Sequence, residues 1–151
     1  MARQHHINIT REFPVPVERL FSHLSEHENL ERLFAPARII RLSSGTDARN
    51  GVGSARTIKP YPMPAFVETV TAYHENKLVE YRITKGSPLR NHFGRMTFDS
   101  LGAHASRVEF DIVFEGKFPG AGAVFWFILN RGITNGLADL ADDKEFLADR
   151  A

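Results

Sequence analysis

Between Ala37 and Lys117 the chain consists of short segments in which apolar and polar residues alternate, separated by turns rich in Gly, Pro, Asn and Ser. This alternation is typical of β-strands with one buried face, and such short turns join neighbouring antiparallel strands. We therefore predict six strands, at about 37–43, 52–59, 65–73, 78–84, 91–99 and 106–116. The last is the clearest, because Val108, Phe110, Ile112 and Phe114 alternate with polar residues.

The segments that flank this region complete an α+β pattern. Alternation from Ile7 to Phe13 predicts a first strand, and a short helix follows Pro16. A second short helix is expected from Asn29 to Phe34. After Pro119-Gly120, apolar residues recur every three or four positions, which predicts an amphipathic helix of about 25–30 residues. The expected architecture is a curved seven-stranded antiparallel sheet wrapped around a long C-terminal helix.

Composition limits the classes of function. The 151 residues, 42% of them apolar, are enough for one hydrophobic core, so residues 1–151 are expected to form one domain. A net charge of +1 disfavours a nucleic-acid partner, and the absence of cysteine excludes disulfides and thiolate chemistry. The longest apolar run, Ala123–Leu129, is too short to cross a membrane. With no signal-peptide pattern at the N-terminus, we expect a cytoplasmic monomer or homodimer.

Several segments resemble one family. Phe13–Phe21 is similar to a "strand, proline, aromatic-bearing helix" opening, and Gly51–Arg56 to a glycine-led third strand. Glu68–Tyr73, Leu78–Ile83 and Ser106–Phe110 match the rhythm of the polyketide cyclase/dehydrase and lipid-transport branch of the START-like (SRPBCC) superfamily. The resemblance covers nearly the whole chain and implies the helix-grip fold. It also implies a cavity between the sheet and the long helix for an apolar or amphipathic ligand.

Two glycine pairs and one histidine pair partly match cofactor or metal motifs, but their sequence context does not fit such sites. Gly51-Val-Gly53 and Gly120-Ala-Gly122 lack the strand–helix setting and third glycine of a dinucleotide fingerprint. His23 and His27 have the four-residue spacing of a zinc site, but they lie largely off the apolar stripe of their helix, which predicts a solvated helix face. We therefore expect neither a metal nor a cofactor.

Polar residues that share a strand face with apolar neighbours are the best candidates for an internal site. Tyr81 lies between Val79 and Ile83 in the alternation. Arg56 shares a face with Val52 and Ile58, and His92 shares one with Met96 and Phe98. The facing of Glu68 is ambiguous. A buried Arg–Glu pair or a hydrogen-bonded tyrosine is more often structural than catalytic, although a desolvated His92 near Tyr81 could serve as an acid or base. The predicted ligand-binding residues are Arg56, Glu68, Tyr81, His92, Met96, Phe110, Ile128, Gly132 and Gly136.

The size and entrance of the cavity can also be predicted. Gly132 and Gly136 weaken the long helix, so they provide either cavity space or close backbone packing. Ligand pockets commonly span roughly 300–1,000 Å³, and we expect a space of that size. In a meander, alternate turns lie at the same end, and three such turns carry apolar side chains. The entrance, or a plug of the core, is therefore expected at Tyr61, Met63, Leu89, Arg90 and Phe118.

Three functions fit these observations. The first is binding, or transport, of a small hydrophobic or aromatic ligand. The second is a polyketide cyclase, aromatase or dehydratase, in which His92 or Tyr81 transfers a proton and Arg56 orients an oxygen. The third is a non-catalytic interaction module, which exposed aromatic residues around Tyr61 and Trp126 would favour.

Overall fold

In a computed structural model, which describes residues 3–60 and 64–148, seven antiparallel strands form one sheet in the order β1-β7-β6-β5-β4-β3-β2. This confirms the predicted meander, with the first strand added beside the last. The strands are β1 Gln4–Phe13, β2 Arg38–Ser43, β3 Ala55–Lys59, β4 Phe66–His74, β5 Leu78–Lys85, β6 Leu89–Gly102 and β7 Ala105–Gly116.

The alternation in β7 explains how the sheet makes its core. Val108, Phe110, Ile112 and Phe114 are at most 1% exposed, while the intervening residues are partly exposed. Burying large apolar side chains from one face removes their surface from water, at about 25 cal/mol per Å². The opposite face of the strand remains available to solvent.

The third strand starts later than the sequence predicts. Gly53 has a φ of +91°, a conformation that glycine adopts readily, and this turn delays β3 until Ala55. Val52 is consequently exposed, so the prediction that it shares a buried face with Arg56 and Ile58 is wrong for Val52. Arg56 and Ile58 themselves are buried as expected.

Two short helical segments follow β1, as predicted. Helix α1 spans Val17–Ser25, and a 3₁₀ helix spans His27–Arg32. Glu26 lies between them in an extended conformation, which interrupts the helical periodicity. Positions four apart across Glu26 therefore do not share one helix face.

The C-terminal helix is shorter than predicted. Helix α2 spans Ala121–Ala141, 21 residues, and a separate helix α3 spans Lys144–Leu147. The break occurs because Asp143 acts as an N-cap, accepting hydrogen bonds from the backbone N–H groups of Glu145 and Phe146. Within the described ranges, no helix is long and apolar enough to cross a membrane.

Helix α2 is held against β1 and against the segment after the 3₁₀ helix. The Nε1 of Trp126 donates to the carbonyl oxygen of His6 at 2.8 Å. A Cβ at Gly132 would lie 2.6 Å from the carbonyl oxygen of Leu33, and a Cβ at Gly136 would lie 2.9 Å from its Cα. Both glycines therefore permit close backbone packing, and the alternative prediction that they provide cavity space is wrong.

Candidate functional site: a small cavity between the sheet and helix α2

A cavity of about 50 Å³ lies between the sheet and the first half of α2. Most of its wall is apolar, and the residues that provide this wall include Phe34, Phe66, Leu89, Ile112, Phe125 and Ile128. Three residues with polar groups, Glu68, Tyr81 and His92, also line it. An apolar space with a few convergent polar groups is the usual form of a small-molecule site.

Glu68 is held by a buried ion pair. Its Oε1 accepts hydrogen bonds from Arg56 Nη2 at 2.7 Å and Nε at 3.0 Å, and both side chains are at most 5% exposed. The pair forms because Arg56 and Glu68 are directly opposite in the β3–β4 register. Arg56 therefore supplies a positive charge that is already balanced.

The hydrogen bonding of His92 determines which of its ring nitrogens carries the proton. Its Nδ1 accepts a hydrogen bond from the backbone N–H of Ile83 at 3.2 Å, so the proton of the neutral ring lies on Nε2. Burial lowers the pKa of His92, and Arg56 and Arg82 lower it further, against the opposing effect of Glu68. The Nε2 faces Glu68 Oε2 at 3.6 Å, beyond a direct hydrogen bond.

Tyr81 fills the space between Arg56, His92 and β6. The guanidinium carbon of Arg56 lies 4.9 Å from the centre of the Tyr81 ring, and the His92 ring centre lies 5.8 Å away. Gly94 is opposite Tyr81 in the β5–β6 register, and a Cβ there would overlap the phenol ring. Burial raises the pKa of Tyr81, so its hydroxyl keeps its proton.

The family comparison agrees with this architecture. Residues 4–145 match the model of the family described as polyketide cyclase / dehydrase and lipid transport. The chain belongs to this family. A search of the curated proteins finds no match to the chain.

Solved structures of this architecture share the fold at low sequence identity. A START superfamily protein from Mycobacterium smegmatis is 19% identical, with a TM-score of 0.74, covering 95% of this chain and 99% of that one. Norcoclaurine synthase from Thalictrum flavum, solved with dopamine and hydroxybenzaldehyde, is 11% identical, with a TM-score of 0.69 and coverages of 99% and 91%. The Zhui aromatase/cyclase from a Streptomyces species is 14% identical, with a TM-score of 0.65 and coverages of 96% and 92%.

The cavity in this member of the polyketide cyclase/dehydrase family is much smaller than we predict from the sequence. A space of about 50 Å³ would hold only a few water molecules. Side chains from α2, among them Phe125 and Leu129, occupy the region, and Gly132 and Gly136 face Leu33. The predicted space of roughly 300–1,000 Å³ is therefore wrong for this conformation.

The structure brings together only some of the predicted ligand-binding residues. Glu68, Tyr81, His92 and Ile128 line the cavity, and Arg56 lies behind Glu68. Met96 and Phe110 belong to the buried core and are not among the residues that line this cavity. The residues that the sequence prediction missed include most of the apolar wall, such as Phe34, Phe66 and Phe125. It also missed Gly94, the one position with a signal, since a glycine inside a strand often marks close approach by another group.

The predicted entrance divides into two places. Leu89 is buried on the cavity wall near Pro60. Arg90 and Phe118 line a separate surface groove beside Arg3 and are not among the residues that line the cavity. Tyr61 and Met63 lie outside the described residues.

The two histidines with zinc-like spacing, His23 and His27, lie in different surroundings. His27 is 1% exposed, contrary to the predicted solvated face, and its Nε2 lies 3.1 Å from Ser54 Oγ. The His23 ring packs on Phe146, with 4.9 Å between ring centres. Within residues 3–60 and 64–148, no three His, Asp or Glu side chains are grouped so that they could hold a metal ion.

Proposed function

We propose that this protein binds a small, largely apolar or aromatic molecule between the sheet and α2. The observation that carries the proposal is the apolar cavity, into which Glu68, Tyr81 and His92 converge. A ligand larger than a few atoms must displace side chains at its rim. Ile128 is suited to such a movement, because it lines the cavity and is also 37% exposed.

The chemistry of the polar groups favours binding over proton transfer. Nδ1 of His92 already accepts a backbone hydrogen bond, and its Nε2 carries the proton, so the neutral ring offers no free base. Arg56 is engaged by Glu68. Family membership supports ligand binding or a cyclase-type function in general, and within that range we propose the carrier function.

The interaction-module alternative receives less support from its indicator residues. Trp126 is partly buried against the core and hydrogen-bonded to β1. Tyr61 lies outside the described residues. Phe127 is exposed on α2 together with Val124 and Ile128, at the three- and four-residue spacing of one helix face, and this face is the feature that still favours an interaction module.

The test is a titration with the neutral fluorescent probe N-phenyl-1-naphthylamine, comparing Ile128→Ala with Val124→Ala. Both residues are exposed on α2, one turn apart, but only Ile128 lines the cavity. We expect Ile128→Ala to change the probe affinity by about threefold or more. The substitution removes apolar contact with the probe and enlarges the cavity, and either effect is worth about 1 kcal/mol. Val124→Ala should match the wild type. No saturable binding, or equal affinities in all three proteins, would overturn the proposal.

A further inference from the structure

One residue that lines the cavity carries a buried hydroxyl group with no hydrogen-bond partner among the described residues. Tyr81 is 1% exposed, and its Oη makes no hydrogen bond to any atom of residues 3–60 and 64–148. Leaving a buried hydroxyl unpaired is unfavourable, so such a group in a native protein calls for an explanation. Because Tyr81 lines the cavity, a molecule in the cavity can supply the missing partner.

The ring of Tyr81 is fixed in place by its neighbours. Arg56 stacks on one side, His92 packs against it, and Gly94 leaves room for the phenol on β6. The position of the hydroxyl is therefore set by the fold rather than by a ligand. A pre-positioned donor favours a ligand whose acceptor reaches that point, because the donor itself does not have to be reordered on binding.

The other polar groups determine what kind of acceptor fits. The Nε2–H of neutral His92 also lies at the cavity, but it faces Glu68 Oε2 at 3.6 Å, whereas the Tyr81 hydroxyl has no partner among the described residues. The charges of Arg56 and Glu68 already balance each other, so a charged ligand group would be buried without its own counterion. One unpaired neutral donor beside a balanced ion pair matches an uncharged oxygen, such as that of a ketone or aldehyde.

We propose that the Tyr81 hydroxyl donates a hydrogen bond to an uncharged carbonyl oxygen, so that the cavity selects apolar molecules that carry one such oxygen. This inference rests on the proposed function, because it names the ligand class of the same cavity. A net hydrogen bond of this type corresponds to about a 3–10-fold difference in affinity.

The test compares acetophenone with α-methylstyrene, in which a CH₂ group replaces the carbonyl oxygen with little change in shape. Dissociation constants are measured by NMR titration for the wild type, Tyr81→Phe and Tyr73→Phe. Tyr73 is a matched control, because it packs on Phe21 and does not line the cavity. For each protein, the dissociation constant of α-methylstyrene is divided by that of acetophenone. Comparing this ratio between a variant and the wild type cancels the different hydration of the two ligands.

We expect Tyr81→Phe to reduce the relative preference for acetophenone by about 3–10-fold, and Tyr73→Phe to leave it unchanged within twofold. As an independent measurement, the carbonyl stretch of bound ¹³C-labelled acetophenone should lie at lower frequency in the wild type than in Tyr81→Phe. If both ligands bind at the cavity but neither measurement depends on Tyr81, this inference is overturned and the proposed function stands. If neither ligand perturbs the cavity residues of the wild type, both are overturned.

Discussion

The stability of this protein should depend on pH through His27, which is buried with one nitrogen unpaired. The Ser54 hydroxyl donates to the carbonyl oxygen of Gly51 at 2.7 Å, so it accepts from His27 Nε2. The His27 Nδ1 has no partner among the described residues. Protonation would place a positive charge and an unpaired N–H beside Arg56 and Arg41, and burial together with these cations lowers the pKa of His27 to about 3.

The sign and size of the effect follow from this difference in proton affinity. In the unfolded chain the pKa of a histidine is about 6.5, so the unfolded state binds the proton more tightly. The contribution of His27 to stability is therefore complete above pH 6.5 and declines as the pH falls towards 3. The slope approaches about 1.4 kcal/mol per pH unit, which gives a loss of about 2 kcal/mol between pH 7 and pH 5.

Urea unfolding at pH 7, 6 and 5 would measure this loss in the wild type, in His27→Gln and in His104→Gln. The glutamine amide can still donate to Ser54 but does not titrate. His104 lies exposed in the turn between β6 and β7 and serves as the control. Burial also lowers the pKa of His23 and His92, but these groups contribute equally in all three proteins. We expect the loss to be smaller by about 2 kcal/mol in His27→Gln alone, and an unchanged pH dependence in that variant would refute the argument.

Three further substitutions test packing and charge by urea denaturation. Glu68→Gln should lower the free energy of unfolding by about 3–5 kcal/mol, because it leaves a buried arginine without its counterion. Asp99→Asn, at an exposed ion pair, should lower it by less than about 1 kcal/mol, and similar losses in the two variants would contradict this reasoning. Gly94→Ala should cost about 1–3 kcal/mol by displacing the Tyr81 ring, and a penalty that persists in a Tyr81→Leu background would rule out that cause. Gly136→Ala should also lower the free energy of unfolding by about 1–3 kcal/mol, because its Cβ would lie 2.9 Å from the Cα of Leu33. Alanine is the better helix former, so a stabilised variant would show that α2 can move away.

Strand alternation predicts which face of the sheet a residue occupies, but it does not predict breaks in that alternation. The inward positions of Tyr81 and His92 follow directly from their apolar neighbours in β5 and β6. The facing of Glu68 is ambiguous in the sequence because the pairing of β4 with β5 shifts register twice, between Val67 and Glu68 and between Val70 and Ala72. Glu68 faces inward before the second shift, and Tyr73 packs on the core after it.

The helical predictions failed where a single backbone position decides the outcome. His27 becomes buried because extended Glu26 ends α1 and turns the following residues in a new direction. The predicted length of α2 was wrong because Asp143 can cap a new helix, which periodicity alone does not indicate. A glycine in a helix can likewise be recognised as unusual, but only tertiary contacts show which neighbour it approaches.

The contrast between Gly94 and Gly136 shows how the site depends on contacts that strand or helix patterns cannot supply. Both glycines remove a Cβ from a regular element, and both do so to admit another part of the chain. At Gly136 the group admitted is backbone, so the result is a tightly joined helix. At Gly94 it is the ring of Tyr81, a residue that lines the cavity. A glycine inside a regular element is thus a sign of helix packing at Gly136 and of a buried ring beside the candidate site at Gly94. The Gly94 contact depends on the register of β5 with β6, which places Tyr81 opposite that glycine.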